Sequence, residues 1–340
     1  MTEPKAPLPN PRQVARGNVT LAVYAWPSPK PKADPVILIH GYPDSAQVWR
    51  ETAERLAEHR PVFAYDVRGA GASSAPKALR DYRLEVLSED LLAVIQAVSP
   101  KRPVHLVGHD WGSIQTWESV CSPRFEGRIA SFTSISGPCL DHVGHWMRAG
   151  LLSADPRRWA DVFGQLAHSW YVGLFQVPLI APMAWRVAVG RQWPRVVERL
   201  EGMAEAPRTA TQTRDGINGI ALYRANMRRR LLAPQRRTTT IPVQLVTPRY
   251  DPFVTEALTD SLAGWVPHVR SLQSLRRCPC HRHHDRVGRI PHPRLATHLQ
   301  PYEKTRLPLR RPSDSRPRQD ERDRLRVLCH REGVRKMGSM

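Results

Sequence analysis

Cysteine is scarce and unpatterned in this chain. The five thiols, at 121, 139, 278, 280 and 329, follow no framework spacing. That excludes a disulfide-stapled scaffold and fits reduced thiols in a cytoplasmic protein. The opening MTEPKAPLPNPRQ lacks the apolar core of a secretory leader. The longest apolar run, SWYVGLFQVPLIAPMAWRVAVG, approaches membrane-spanning length but contains Pro178, Pro182 and Arg186. It reads as a buried or interfacial helical segment, with a peripheral membrane contact as the alternative. Acidic residues are few, 31 against 51 Lys and Arg, for a net charge of +20. Such a balance ordinarily suggests a nucleic-acid partner. Here the excess is concentrated: residues 271–340 hold 18 basic and 7 acidic side chains, net +11, leaving +9 over the first 270. No nucleic-acid partner is expected.

With 340 residues, 41% of them hydrophobic, the chain can bury a sizeable core. Short apolar runs at 36–39 (VILI), 62–65 (VFAY), 104–107 (VHLV), 129–135 (IASFTSI) and 243–246 (VQLV) alternate with helix-like stretches such as AQVWRETAERLAEH and LSEDLLAVIQAV. Runs apolar on both faces suit buried strands of a mostly parallel sheet with helices on both sides, an α/β architecture. The stretch 139–238 breaks this alternation: it is rich in Trp, Met and Arg, with helical patches and no convincing strand. An inserted helical lid explains it. The expected organisation is therefore a core from 1–138 and 239–270, a lid over 139–238, and a separate tail over 271–340.

The tail has neither helix nor strand periodicity and is rich in Arg, His and Pro. It reads as a basic interaction arm, as a disordered tail, or as GC-rich DNA translated in an altered frame. Back-translating LCHREGVR with GC-rich codons and reading one nucleotide later gives Cys-Val-Thr-Gly-Arg-Ala-Ser-Gly, similar to the glycine-rich nucleotide loop of short-chain dehydrogenases.

The chemistry is concentrated in LVGHDWGS, residues 106–113. Its spacing is that of G-x-S-x-G, a strand-to-helix turn that lifts a nucleophile out of the backbone, but the lifted residue is Asp110. A carboxylate in this place is suited to displacement at saturated carbon, giving an alkyl ester. Three further motifs stand in order: HGYPDS (40–45) after VILI, YDVRGAGASS (65–74), and IPVQLVTPRYDPFV (241–254) ending near Asp251. The glycine-rich second of these reads as mostly structural.

Together the four motifs, covering roughly residues 18–270, resemble the epoxide hydrolase branch of the α/β-hydrolases. The resemblance implies an α/β-hydrolase fold with an inserted helical lid. It makes Asp110 the nucleophile, Asp251 the acid that orients a catalytic His, and the backbone N–H groups of Tyr42 and Trp111 the oxyanion hole. WYVGLFQVP (170–178) is similar to the family's lid segment Y-x-x-x-F-Q-x-P, and LYRANM (222–227) to its W-Y-R-N-M stretch, with Ala225 as an extra residue. Tyr171 and Tyr223 would then donate to the epoxide oxygen. The family's G-H-W motif is missing. His281, His283 and His284 fall in range, and His284 stands seven before Pro291, as the family pattern asks. CPCHRHH lacks zinc-site spacing, so neither metal nor cofactor is expected. His40, His105, His109, His142 and His145 are expected to be structural or exposed.

The stretches GHDWGSIQTWESVC and GPCLDHVGHWMR also resemble the N-terminal half of bacterial proteins that join such a domain to a short-chain dehydrogenase. The apolar lid residues Leu151, Leu152, Trp159, Phe163, Leu166, Trp170 and Leu174 imply a bulky, hydrophobic epoxide, with lipid-derived epoxides as candidates, unless they pack lid against core. Rival readings are a haloalkane dehalogenase, which shares Asp110 and Trp111 but needs neither lid tyrosine, and a catalytically dead hydrolase fold retained for binding.

Overall fold

The computed structural model describes residues 8–201, 209–248, 251–260 and 265–274. Eight strands form one sheet: β1 (Arg12–Arg16), β2 (Val19–Trp26), β3 (Val36–Ile39), β4 (Val62–Tyr65), β5 (Val104–His109), β6 (Ile129–Ile135), β7 (Val243–Pro248) and β8 (Val269–Ser274). Their spatial order is β1-β2-β4-β3-β5-β6-β7-β8. β1–β2 and β2–β4 pair antiparallel, and every other neighbour pair is parallel. All four residues of β3 are buried, as expected of a central strand covered on both faces. Between strands run α1 (Arg50–Ala57), α2 (Leu84–Val98) and α3 (Trp111–Val120). In α2 the buried Leu84, Leu87, Leu91, Val94 and Ile95 keep helical spacing, and the last three join the main core.

All five strands expected from the apolar runs are present. Two more, β1 and β2, precede them. β8 carries the sheet through Ser274, across the break expected at 270. Between β6 and β7 the described residues form six helices: α4 (Leu140–Leu151), α5 (Pro156–His168), α6 (Trp170–Gln176), α7 (Ile180–Ala184), α8 (Gly190–Glu201) and α9 (Gln212–Leu232), with a π-turn over Trp185–Val189. Among the described residues no single helix is long and apolar enough to cross a membrane; α6 and the Ile180–Arg199 segment pass that test only together, across a 102° bend. A short α10 (Ala257–Asp260) precedes β8. His284 and the rest of the expected tail beyond Ser274 lie outside the described residues.

The glycine-rich turn is structural. Asp66 accepts from Ala46 N–H and Ala72 N–H, each at 2.8 Å, and from the Tyr24 hydroxyl at 2.8 Å. A Cβ on Gly71, whose φ is +50°, would sit 2.1 Å from the Asp66 carboxylate. Arg68 and Asp90 form a buried two-bond ion pair. The turn thus clamps the loops beside the ends of β3 and β4.

Candidate active site

β5 ends at His109 and α3 begins at Trp111, leaving Asp110 alone between them at φ 52° and ψ −124°. A non-glycine residue in that region is strained, a conformation held only when its surroundings enforce it. The enforcement is visible. A Cβ on Gly108 would lie 2.6 Å from Gly112 O, and one on Gly112 only 2.1 Å from Ile39 O. The turn closes this tightly because both flanking positions lack side chains. A Cβ on Gly137 would also meet Asp110 O at 2.3 Å.

Trp111 N–H donates to Asp110 Oδ2 at 2.5 Å, and Tyr42 N–H donates to the same oxygen at 3.4 Å. The two expected oxyanion donors therefore converge on one carboxylate oxygen. Burial pushes the Asp110 carboxyl up to about 7; the two N–H groups oppose that rise, and the charges of Asp44 and Asp251 add to it. Desolvation outweighs the helix N-terminus here.

Two tyrosines sit above. Tyr223, on α9, is buried, and its ring makes edge contacts with Trp111 at 4.8 Å and Tyr42 at 5.3 Å. Tyr171, on α6, faces Tyr223 at 6.0 Å and Phe253 at 5.4 Å. Burial first and the Asp110 charge second raise both phenols above their ordinary range. Both therefore feel the Asp110 charge and remain protonated donors.

Arg224 explains why the phenols meet. Its guanidinium donates to Phe175 O at 2.6 Å and Val177 O at 2.8 Å, capping the C-terminus of α6 from α9. α9 is itself clamped to the core along one face. Asn226 donates to Tyr82 O and accepts from Leu84 N–H. One turn on, Arg230 pairs with Asp141, Glu85 and Glu118 at 2.8–2.9 Å. Ala225 makes Tyr223 and Asn226 i, i+3 neighbours, so the extra residue keeps both on the clamped face. On the same helix, Gly219 is free of a Cβ that would meet the Tyr42 ring at 2.4 Å.

Asp251 lies just beyond β7, where its Oδ1 accepts from Phe253 N–H at 2.8 Å and Val254 N–H at 3.0 Å. Its charge reaches Asp110, His109 and Tyr171. Among the described residues no His hydrogen-bonds to it. His40 accepts from Val67 N–H, His105 pairs with Ser131, and His142 and His145 bond backbone carbonyls. His109 is pushed below its usual range by burial. Phe175, the Phe of the Y-x-x-x-F-Q-x-P segment, and Phe253, two residues after Asp251, brace the two phenols; neither has a role of its own legible from sequence. Of the apolar side chains expected to line a pocket or to pack lid against core, Leu151, Leu152, Trp159, Phe163, Leu166 and Trp170 are exposed, and Leu174 is half-buried.

A family profile described as alpha/beta hydrolase fold matches residues 34–275. The chain belongs to the α/β-hydrolase fold family. It is 35% identical over 261 residues to "Probable oxidoreductase EphD" of Mycobacterium tuberculosis, a match covering 74% of this chain and 43% of that protein. It is 32% identical over 149 residues to "Epoxide hydrolase 3" of Xenopus tropicalis, covering 43% of this chain and 35% of the relative. The chain thus spans less than half the length of these curated relatives. Among solved structures, a Bacillus megaterium epoxide hydrolase with an inhibitor superposes at a TM-score of 0.61, with 21% identity, over 77% of this chain and 91% of that one. That likeness concerns the fold.

Proposed function

We propose that the chain opens a hydrophobic epoxide through a covalent ester on Asp110. The observation that carries this reading is the gathering of two phenols and two backbone N–H groups around one strained carboxylate. Asp110 Oδ2 already occupies the two-donor cradle, so Oδ1 is the oxygen that attacks the less hindered epoxide carbon. As that C–O bond forms, the ring C–O bond breaks. Tyr171 or Tyr223 then delivers a proton to the developing alkoxide. Oδ2 becomes the ester carbonyl oxygen and stays in the cradle of Tyr42 and Trp111, where an oxyanion would develop when water attacks.

That second step needs a base. His284 is our candidate for it, with Asp251 as its partner. Because the G-H-W motif is missing, we propose that ester hydrolysis is the slow step. α4 to α9 act in this reading as the lid. The phenols distinguish epoxides from haloalkanes: an epoxide oxygen needs a proton, whereas a halide leaves with N–H donors alone. Diol formation from a lipophilic epoxide, abolished in Asp110→Asn, is the expected result. Halide release from a haloalkane without diol formation would assign the dehalogenase chemistry instead.

The EphD relatives support a wider proposal. Their name denotes an oxidoreductase, yet this hydrolase-like chain matches 43% of their length. We propose that the chain corresponds to the hydrolase half of such a two-part protein, with a reading-frame change upstream of residue 280. Sequencing the locus tests this: an intact downstream frame with no nucleotide-loop motif would refute it. We place the chain in the cytoplasm.

A further inference from the structure

Fifteen large apolar side chains are exposed among the described residues, and eleven of them lie between Leu151 and Val187, so the exposure belongs to one part of the insertion. On α5, Trp159, Phe163 and Leu166 fall at i, i+4 and i+7 and line one outward face, while Val162 and Gln165 turn inward. Ile180, Met183 and Val187 follow a similar spacing through α7 and the π-turn after it. Leu152 is 81% exposed, Leu179 79% and Trp170 69%. A face so apolar needs an occupant.

Two observations indicate its chemistry. First, cations are interspersed with the apolar side chains: residues 147–199 contain seven arginines against three acidic residues, and Arg157, Arg158, Arg186 and Arg191 are exposed. Protein interfaces also draw on Trp, Met and Arg, but seven arginines against three acidic residues give this surface a net positive charge that suits an anionic one. Trp and Leu mixed with Arg is the composition of a surface that lies in a bilayer interface. Second, a groove of about 560 Å³ lined by Arg80, Arg83, Arg224, Arg228 and Arg229 adjoins this face. Arg224 connects the two, since it holds the carbonyl of the exposed Val177. Arg229 pairs with Glu85, but Arg80, Arg83 and Arg228 make no side-chain hydrogen bond or ion pair among the described residues. Three such cations beside the exposed Leu79 and Leu232 suit a phosphate carried on acyl chains.

We propose that this face docks on an anionic lipid bilayer. The apolar side chains enter the boundary between headgroups and acyl chains, and the arginine groove holds lipid phosphates. Exposed Trp170 contacts Tyr171 at 6.5 Å, which puts the docked face one residue from a phenol proposed to act on the epoxide. An epoxide dissolved in the bilayer would pass along these rings without crossing water. Delivery of that substrate rests on the epoxide reading of the site; docking does not.

The test is sedimentation of the full 340-residue chain with vesicles of phosphatidylcholine alone or with about a third phosphatidylglycerol. Binding is expected on the anionic vesicles and weakens with salt. Two variants are compared: Phe163→Ser with Leu179→Ser and Val187→Ser, and Arg80→Glu with Arg83→Glu and Arg228→Glu. Each should lose at least about tenfold in partitioning while still melting cooperatively, and if one misfolds the other decides. The apolar variant should react with a water-soluble epoxide as the wild type does, and more slowly with one dissolved in vesicles. Loss of epoxide chemistry with vesicle binding intact would refute the epoxide reading alone. The docking proposal is overturned by variants that bind as the wild type does, which would assign binding to the basic tail. Equal binding to both vesicle types also overturns it. So does absence of vesicle binding together with a concentration-dependent dimer that the apolar variant abolishes.

Discussion

Replacing Asp110 with Asn should stabilise the fold, and by an amount that depends on pH. Burial holds the Asp110 carboxyl at about 7, against an ordinary value of 3.8. Each pKa unit corresponds to about 1.4 kcal/mol, so ionising this group in the native state costs on the order of 4 kcal/mol more than in the unfolded chain. The sign follows from proton counting. Between the two values the native state holds a proton that the unfolded chain has released, so stability falls as pH rises through this window and levels off above about 7. The substituted amide carries no charge, yet its carbonyl oxygen can still accept from Trp111 and Tyr42. The stability difference should be small in acid and widen by about 3 kcal/mol between roughly pH 5 and pH 9 in favour of Asp110→Asn. Urea denaturation of both proteins across that range measures it. A constant difference, or a wild type more stable than the variant at alkaline pH, would refute the reasoning.

Three further outcomes are expected. Because Asp110 must be ionised to attack, adduct formation should rise about tenfold per pH unit up to about 7 and then level off, as stopped-time mass spectrometry can follow. Tyr171→Phe with Tyr223→Phe should lower epoxide opening by about 10²–10⁴-fold with little change in melting temperature, while either single variant loses less. Arg230→Ala should destabilise the fold by about 3 kcal/mol, the lower end for a broken buried ion pair. Its carboxylate partners Asp141 and Glu118 would still be held by Arg237 at 3.1 and 3.0 Å; a chemical denaturation curve reads the loss.

Much of the framework was legible because its signals are local. Strands such as VILI are apolar on both faces, and the glycines around Asp110 declare a turn that no larger residue could make. β1 was not legible, for an edge strand with only Val14 buried carries almost no pattern. β2 does carry one, in VTLAVYAW, although it is absent from the expected strands. β8, VRSLQS, is too polar to separate from the basic stretch that follows it. The direction of the α5 face was not legible for a physical reason: helical spacing of Trp159, Phe163 and Leu166 places them on one face, but does not say whether that face meets core or surroundings. The clamp on α9 is long-range. Arg230 finds Asp141, Glu85 and Glu118 only after three other helices are in place, and no spacing announces such a network. Asp251 keeps its position beyond β7, yet its partner base falls where the sequence offers three histidines and no motif to choose among them.

Incubation with a lipophilic epoxide, followed by intact-mass and peptide analysis, examines the nucleophile itself. Wild-type chain should gain the mass of one epoxide, with the ester on Asp110, and Asp110→Asn should gain nothing. Diol released by the Asp110→Asn protein at the wild-type rate, or an adduct on any other residue, would contradict attack by this carboxylate.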